Sequence, residues 1–119
     1  MKNLIDTYEY EPDNLINGTS KVNTKSIKIK KGSNYKKGTV LGIITTTGYA
    51  VPVDSTKEDG SALADCILAE DVVAVEDEVQ VAYASGEFNR EALVFVGKET
   101  VDAHEKELRK LGIFLKSNI

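Results

Sequence analysis

Residues 59–71 read Asp59-Gly60-Ser61-Ala62-Leu63-Ala64-Asp65-Cys66-Ile67-Leu68-Ala69-Glu70-Asp71. Asp-Gly marks a turn, because Gly takes positive φ without steric cost and Asp bonds to nearby backbone. The small and apolar residues that follow run about the length of one buried strand. Glu70-Asp71 then returns the chain to solvent. The stretch predicts a turn leading into a core strand, with Cys66 as a small buried hydrophobe.

Strand signals continue on both sides. Upstream, Thr39-Val40-Leu41-Gly42-Ile43-Ile44-Thr45-Thr46 is rich in β-branched residues, which suit a pleated surface. Thr47-Gly48 predicts a hairpin turn, and Tyr49, Val51 and Val53 share one face of the return strand. Pro52 confines that strand to an edge or an end. Gly42, inside an apolar strand, predicts a bulge or a close backbone approach. Downstream, Val79, Val81 and Tyr83 alternate with Gln80, Ala82 and Ala84, which predicts a further strand. Ser85-Gly86 predicts a turn, Glu87–Glu91 a loop, and Ala92–Val96 a core strand. A helix is predicted at about 101–111. Thr100 can cap it, Asp102 suits its first turn, and Lys106, Arg109 and Lys110 suit its C-terminal half. Val101, His104, Leu108 and Leu111 form one stripe, and Gly112 stands at the C′ position. Ile113-Phe114-Leu115 then predicts an extended tail docked on the body.

With 119 residues, the chain is one domain by size. One cysteine allows no intrachain disulfide, and one Cys with one His does not make a zinc site. No secretory apolar segment is visible, and no run approaches the ~20 residues that cross a bilayer. The expectation is a protein made in a cytosol-like compartment, with no membrane partner. Charge is uneven: residues 1–38 hold eight Lys and four acids, a net of +4, while the remainder has a net of −8.

Residues 1–36 read as an extended N-terminal arm and 37–119 as the folded body. In the first twenty residues Leu4, Ile5, Tyr8, Tyr10, Leu15 and Ile16 are scattered apolar anchors, and Pro12 bars a through-going helix. Such a segment is expected to be ordered by a partner. Residues 21–38 hold seven Lys and no acid. Ser26-Ile27-Lys28-Ile29-Lys30 alternates at strand period, consistent with a lysine-protected edge. Nucleic acid is not the expected partner, since there is no Arg here and Tyr35 is the one aromatic.

Chemistry finds little support. Residues 54–78 carry nine acids, which raises the question of a glycosidase-like pair. They fall in turn-like stretches and miss the calcium-loop spacing. His104, on an apolar helical stripe, reads as packing rather than as the base of a Cys66 nucleophile. There is no phosphate-binding Gly-rich loop. No catalytic residue, metal or cofactor is expected.

The order Lys37-Gly38-Thr39-Val40-Leu41-Gly42, then Asp59-Gly60 with small residues and Ile67-Leu68-Ala69, then Val79-Gln80-Val81, Gly86 with Phe88, and finally Leu111-Gly112-Ile113 resembles the head decoration proteins of tailed bacteriophages, the lambda-type capsid-stabilising family. The resemblance covers about 14–115. It implies a mainly β (α+β), β-tulip-like fold with a C-terminal helix and an extended N-terminal arm. It implies a structural virion protein, not an enzyme, that binds the outside of the expanded capsid as a homotrimer and stabilises the head. The major capsid protein is then the partner, and the arm meets it through the anchors above, together with Ile27, Lys28, Ile29 and Lys30. A cyclic trimer has head-to-tail interfaces, which draws Asp59, Gly60, Glu70 and Asp71 into subunit contact. It also predicts that Lys28 and Lys30 approach acidic loops of a neighbour or of the capsid. Two other classes stay open to the sequence: a β-rich carrier or protein-binding module of the biotinyl or lipoyl type, although Thr47-Gly48 offers no Lys to modify, and a small enzyme using the acidic loop.

Overall fold

The computed structural model describes residues 15–16 and 22–117. Eight strands and one helix follow in order: β1 (Asn23–Ile29), β2 (Asn34–Tyr35), β3 (Val40–Ile43), β4 (Ala50–Pro52), β5 (Cys66–Leu68), β6 (Val72–Val73), β7 (Glu78–Asn89), α1 (Val101–Lys110) and β8 (Ile113–Lys116). The fold is mainly β, as expected. The main sheet runs β1-β7-β5-β3-β4 with antiparallel neighbours, and β8 joins β7 in parallel. The two outer strands meet through a bridge between Lys28 and Tyr49, so the sheet curls back towards itself. β2 and β6 form a separate two-stranded ribbon.

The curl creates an inside and an outside, and alternate residues choose between them. Leu41, Cys66 and Leu68 point inwards, where they meet Ile27, Ile29, Ala50, Val72, Ala74 and Ala82. Val40 and Ile67 point the other way and pack with Leu15, Val53, Ala64, Phe88, Leu108 and Ile113, beneath α1 and β8. The alternation in 26–30 thus buries Ile27 and Ile29 and leaves Lys28 exposed. Residues 23–35, read from sequence as part of the arm, supply β1 and β2 to this body.

β7 departs from the sequence expectation. No turn occurs at Ser85-Gly86; one twelve-residue strand continues through both. Its first part pairs with β1 and β5, and from Gly86 onwards it pairs with β8. Gly86 has φ of 142°, and a Cβ there would lie 3.2 Å from the Phe88 ring and 3.3 Å from Val22. The residue is needed where the strand changes partners, not to reverse the chain. Residues 92–96 are likewise no core strand. Asn89 caps a 3₁₀ turn at Arg90–Ala92, Val94 makes one bridge to Thr39, and Val96 is exposed.

The 59–71 stretch is shorter as a strand than its apolar run suggests. β5 begins at Cys66, and Leu63 is 62% exposed. The Asp59 carboxylate accepts bonds from the Ser61 N–H and hydroxyl at 3.0 and 2.6 Å, which tightens the turn. The segment then crosses directly over Gly42, where a Cβ would stand 2.5 Å from the Ser61 carbonyl and 2.9 Å from that of Leu63. Gly42 is therefore the close backbone approach that its position predicted. Pro52 sits on an edge strand, also as predicted.

α1 starts where the capping signal placed it: Thr100 Oγ1 accepts from the Ala103 N–H at 3.3 Å. Gly112, at φ of 89°, ends it and turns the chain into β8. Of the apolar stripe, His104 and Leu108 are buried, while Leu111 is exposed.

Candidate functional site

The lysine-rich and acid-rich stretches meet within one chain. Lys25 Nζ lies 2.6 Å from Asp65 Oδ1, and this hydrogen bond raises the lysine pKa. The Lys37 N–H donates to Asp71 Oδ1 at 2.7 Å, and the Lys31 N–H to Asp77 Oδ1 at 2.8 Å. Asp77 also accepts from the Tyr49 hydroxyl at 2.9 Å. The Lys31 N–H, then Tyr49, hold the Asp77 carboxyl below its ordinary pKa, and the same contact raises that of the phenol. Lys28 Nζ donates to the Thr47 carbonyl at 2.9 Å and sits 5.2 Å from the Tyr49 ring centroid. Lys28 is thus engaged inside its own subunit. Lys30 is exposed, and its charge acts on Asp77.

Among the residues singled out for the arm, Leu4, Ile5, Tyr8 and Tyr10 lie outside the described residues. Leu15 is buried in the outer core, and its carbonyl accepts from the Asn89 N–H at 2.7 Å. Ile16, 36% exposed, bridges to Phe88. Ile27 and Ile29 are buried in the inner core, so neither is available to dock elsewhere while β1 stays paired with β7.

Of the residues singled out for subunit contact, Asp59 and Gly60 form an exposed turn beside β3, with the Thr45 N–H donating to the Asp59 carbonyl at 2.8 Å. Hydrogen bonds from Ser61 hold the Asp59 carboxyl below its ordinary pKa. Glu70 and Asp71 are exposed on the turn after β5. These four residues therefore occupy two separate turns.

Cys66 is fully buried, and burial pushes its thiol up to about 12, a value that leaves almost no thiolate near neutral pH. Its surroundings are those of a packing residue. Among the described residues, no cluster of His, Cys, Asp and Glu suits a metal ion, and no helix is long and apolar enough to cross a membrane.

Sequence reasoning missed a buried polar group and a groove beside it. His104 is 1% exposed, yet both its ring nitrogens face carboxylates: Nδ1 lies 2.7 Å from Glu107 Oε1, and Nε2 lies 2.6 Å from Glu99 Oε1. The i,i+3 spacing of His104 and Glu107 was the available sequence signal; Glu99, just before the helix, was the other half. The second oxygen of Glu99 accepts from the Ser55 N–H and hydroxyl at 3.1 and 3.0 Å. Glu107 also accepts from the Ala64 N–H at 2.9 Å. A groove of about 560 Å³ runs alongside, and Pro52, Val53, Asp54, Ser61, Val96 and Glu99 are among the residues that line it.

The outer surface also carries apolar residues. Val73 and Val75 are 70% and 74% exposed, and Val79 and Val81 face outwards from β7 while small Ala82 faces in.

The family model described as bacteriophage lambda head decoration protein D matches residues 6–113. No curated protein matches the chain.

Proposed function

Since the chain belongs to the bacteriophage lambda head decoration protein family, we propose that it binds the outer surface of the expanded phage capsid as a homotrimer and stabilises the head. Membership carries a structural role in decorating the phage head, and a place in the virion capsid. The observation that supports the reading most is the length of the match, which spans nearly the whole body and most of the segment before it.

The proposed partner is the major capsid protein, and the proposed contact is the N-terminal segment. Leu15 and Ile16 anchor the root of that segment beside the end of β7. Leu4, Ile5, Tyr8 and Tyr10 precede this root and are the docking anchors in this reading, with Lys30 supplying charge. The turns at Asp59-Gly60 and Glu70-Asp71 are assigned to contacts between subunits. No catalytic step, cofactor, nucleic acid or membrane enters the role.

The test is to mix purified protein with expanded, undecorated heads and image them, with sedimentation of the free protein alongside. Regular protrusions at three-fold positions are expected. Removal of residues 1–13, which spares the buried Leu15 and its bond to Asn89, should leave a folded body that no longer binds. Full binding by the truncated protein would remove the arm from the mechanism, and bare heads with intact protein would remove the role itself. A carrier of the biotinyl or lipoyl type would instead show a mass increase on one lysine; the turn between β3 and β4 has none to modify.

A further inference from the structure

A carboxylate can accept hydrogen bonds but cannot donate them. Both nitrogens of His104 lie within hydrogen-bond distance of carboxylate oxygens, at 2.6 and 2.7 Å. The arrangement is satisfied only when both nitrogens carry a proton. A neutral ring, itself 1% exposed, would leave one nitrogen lone pair pointed at an anionic oxygen. The separations are hydrogen-bond lengths and leave no room for an ion between ring and carboxylate.

The two carboxylates also reach across to a different part of the chain. Glu99 holds Ser55 through its N–H and hydroxyl, and Glu107 holds the Ala64 N–H. Ser55 and Ala64 bracket a segment whose Thr56, Lys57, Asp59 and Ser61 line the groove, and Glu99 lines it too. We propose that His104 is held as an imidazolium and acts as a pH-sensitive clasp, fastening the 54–64 segment to α1 and setting the width of the groove. The clasp lies within the chain's own fold and is independent of the decoration role.

The groups that face the ring are few. Glu107 comes from its own helix and Glu99 from the segment before it. Phe95 stacks on it, with centroids 6.0 Å apart and planes 10° apart. From the 54–64 segment, uncharged Ser55 and the Ala64 N–H reach the carboxylates. Burial lowers the His104 pKa, but Glu107 and Glu99 together outweigh it, and the net direction is upwards from 6.5. The hydrogen bond from His104 is the main cause that lowers Glu99 from 4.5.

The signs define a window. The histidine's contribution is complete below 6.5 and is lost as pH rises through its raised folded-state value. The Glu99 contribution is complete above 4.5 and is lost as pH falls through its lowered folded-state value. The clasp is therefore closed between these two folded-state values, and it opens as pH rises through the upper one or falls through the lower.

The experiment is a pH series on the full-length, ¹⁵N-labelled protein, reading the ring nitrogens of His104 and the exchange of the Ser55 and Ala64 amides. Two protonated ring nitrogens are expected at neutral pH. As the ring deprotonates, exchange at both amides should rise about tenfold beyond its intrinsic increase with pH, while core amides such as Leu68 stay protected. A neutral tautomer at neutral pH, or unchanged protection through the titration, would overturn the proposal. Glu99→Gln should lower the ring's titration midpoint by about one unit or more; an unmoved midpoint would count against the clasp. This variant keeps side-chain shape and one oxygen acceptor, so it removes the charge without opening a cavity.

Discussion

The inner core consists of apolar side chains from neighbouring strands, whereas the outer cluster shares its helix with a buried histidine and lies against Asn89, also buried. The difference follows from what covers each face. Inside the curl, strand pairing satisfies the backbone, so side chains need only fill space. Outside, the cover is a helix, a 3₁₀ turn and the irregular 54–65 segment. Their backbone N–H groups at Ser55, Ala64 and Glu91 find side-chain acceptors instead: Glu99, Glu107 and Asn89. Polar burial here tracks irregular chain.

Deleting one large side chain from each face would test the contrast most strongly. Phe88→Ala should cost about 3–5 kcal/mol and Leu68→Ala about 2–5 kcal/mol in urea unfolding. If the outer face is the more adaptable, Phe88→Ala should fall towards the low end of its range despite the larger loss of volume. A cost near 5 kcal/mol would show that the helix cannot settle into the space.

Next comes the crossing between the two regions. Gly42→Ala would drive a methyl group into the Ser61 and Leu63 carbonyls, which are backbone atoms and cannot swing aside. A loss of about 1–3 kcal/mol is expected, and a neutral result would mean that the 59–65 segment rides loosely over β3.

Thr100→Ala tests whether α1 depends on its own signals or on the packing beneath it. The cap should contribute about 1 kcal/mol, read from thermal unfolding. The smallest effect is expected from Lys25→Met. Its ion pair with Asp65 is substantially exposed, and such pairs contribute about 0–1 kcal/mol and fade with salt. A larger loss that shrinks as salt rises would show that charge, as well as pairing with β7, holds β1 in place.

The legible parts of the fold are those governed by local chemistry. The Lys28-centred alternation, the Thr100 cap, the Gly112 stop, the edge Pro52 and the crowded Gly42 are each visible in a few adjacent residues. What could not be read depends on partners far along the chain. Ser85-Gly86 looks like a turn locally, but β8 is waiting beside it, and the pairing carries the strand through. Ala62-Leu63 looks like strand, but the crossing over Gly42 keeps it out of the sheet. His104 looked like packing, and it is buried as packing would be. Its role as the centre of two carboxylate contacts needed Glu99 and the 54–64 segment folded against it. The charge asymmetry was visible, but its destination was not: the Lys25 side chain pairs with Asp65, while Asp71 and Asp77 take the backbone N–H groups of Lys37 and Lys31.

The partner change at Gly86 has a consequence for synthesis. Strand β1 leaves the ribosome early, but its partner β7 follows much later; Asn23 bonds to Ser85, sixty-two positions on. The last third of β7 must wait longer still, for Ile113–Lys116. A nascent chain therefore carries Ile27 and Ile29 unpaired until Glu78 and Gln80 have emerged, in a topology whose long-range pairings fold slowly. The lysines that alternate with them keep that waiting strand from joining another chain's edge. Their value is greatest before the protein exists as a fold.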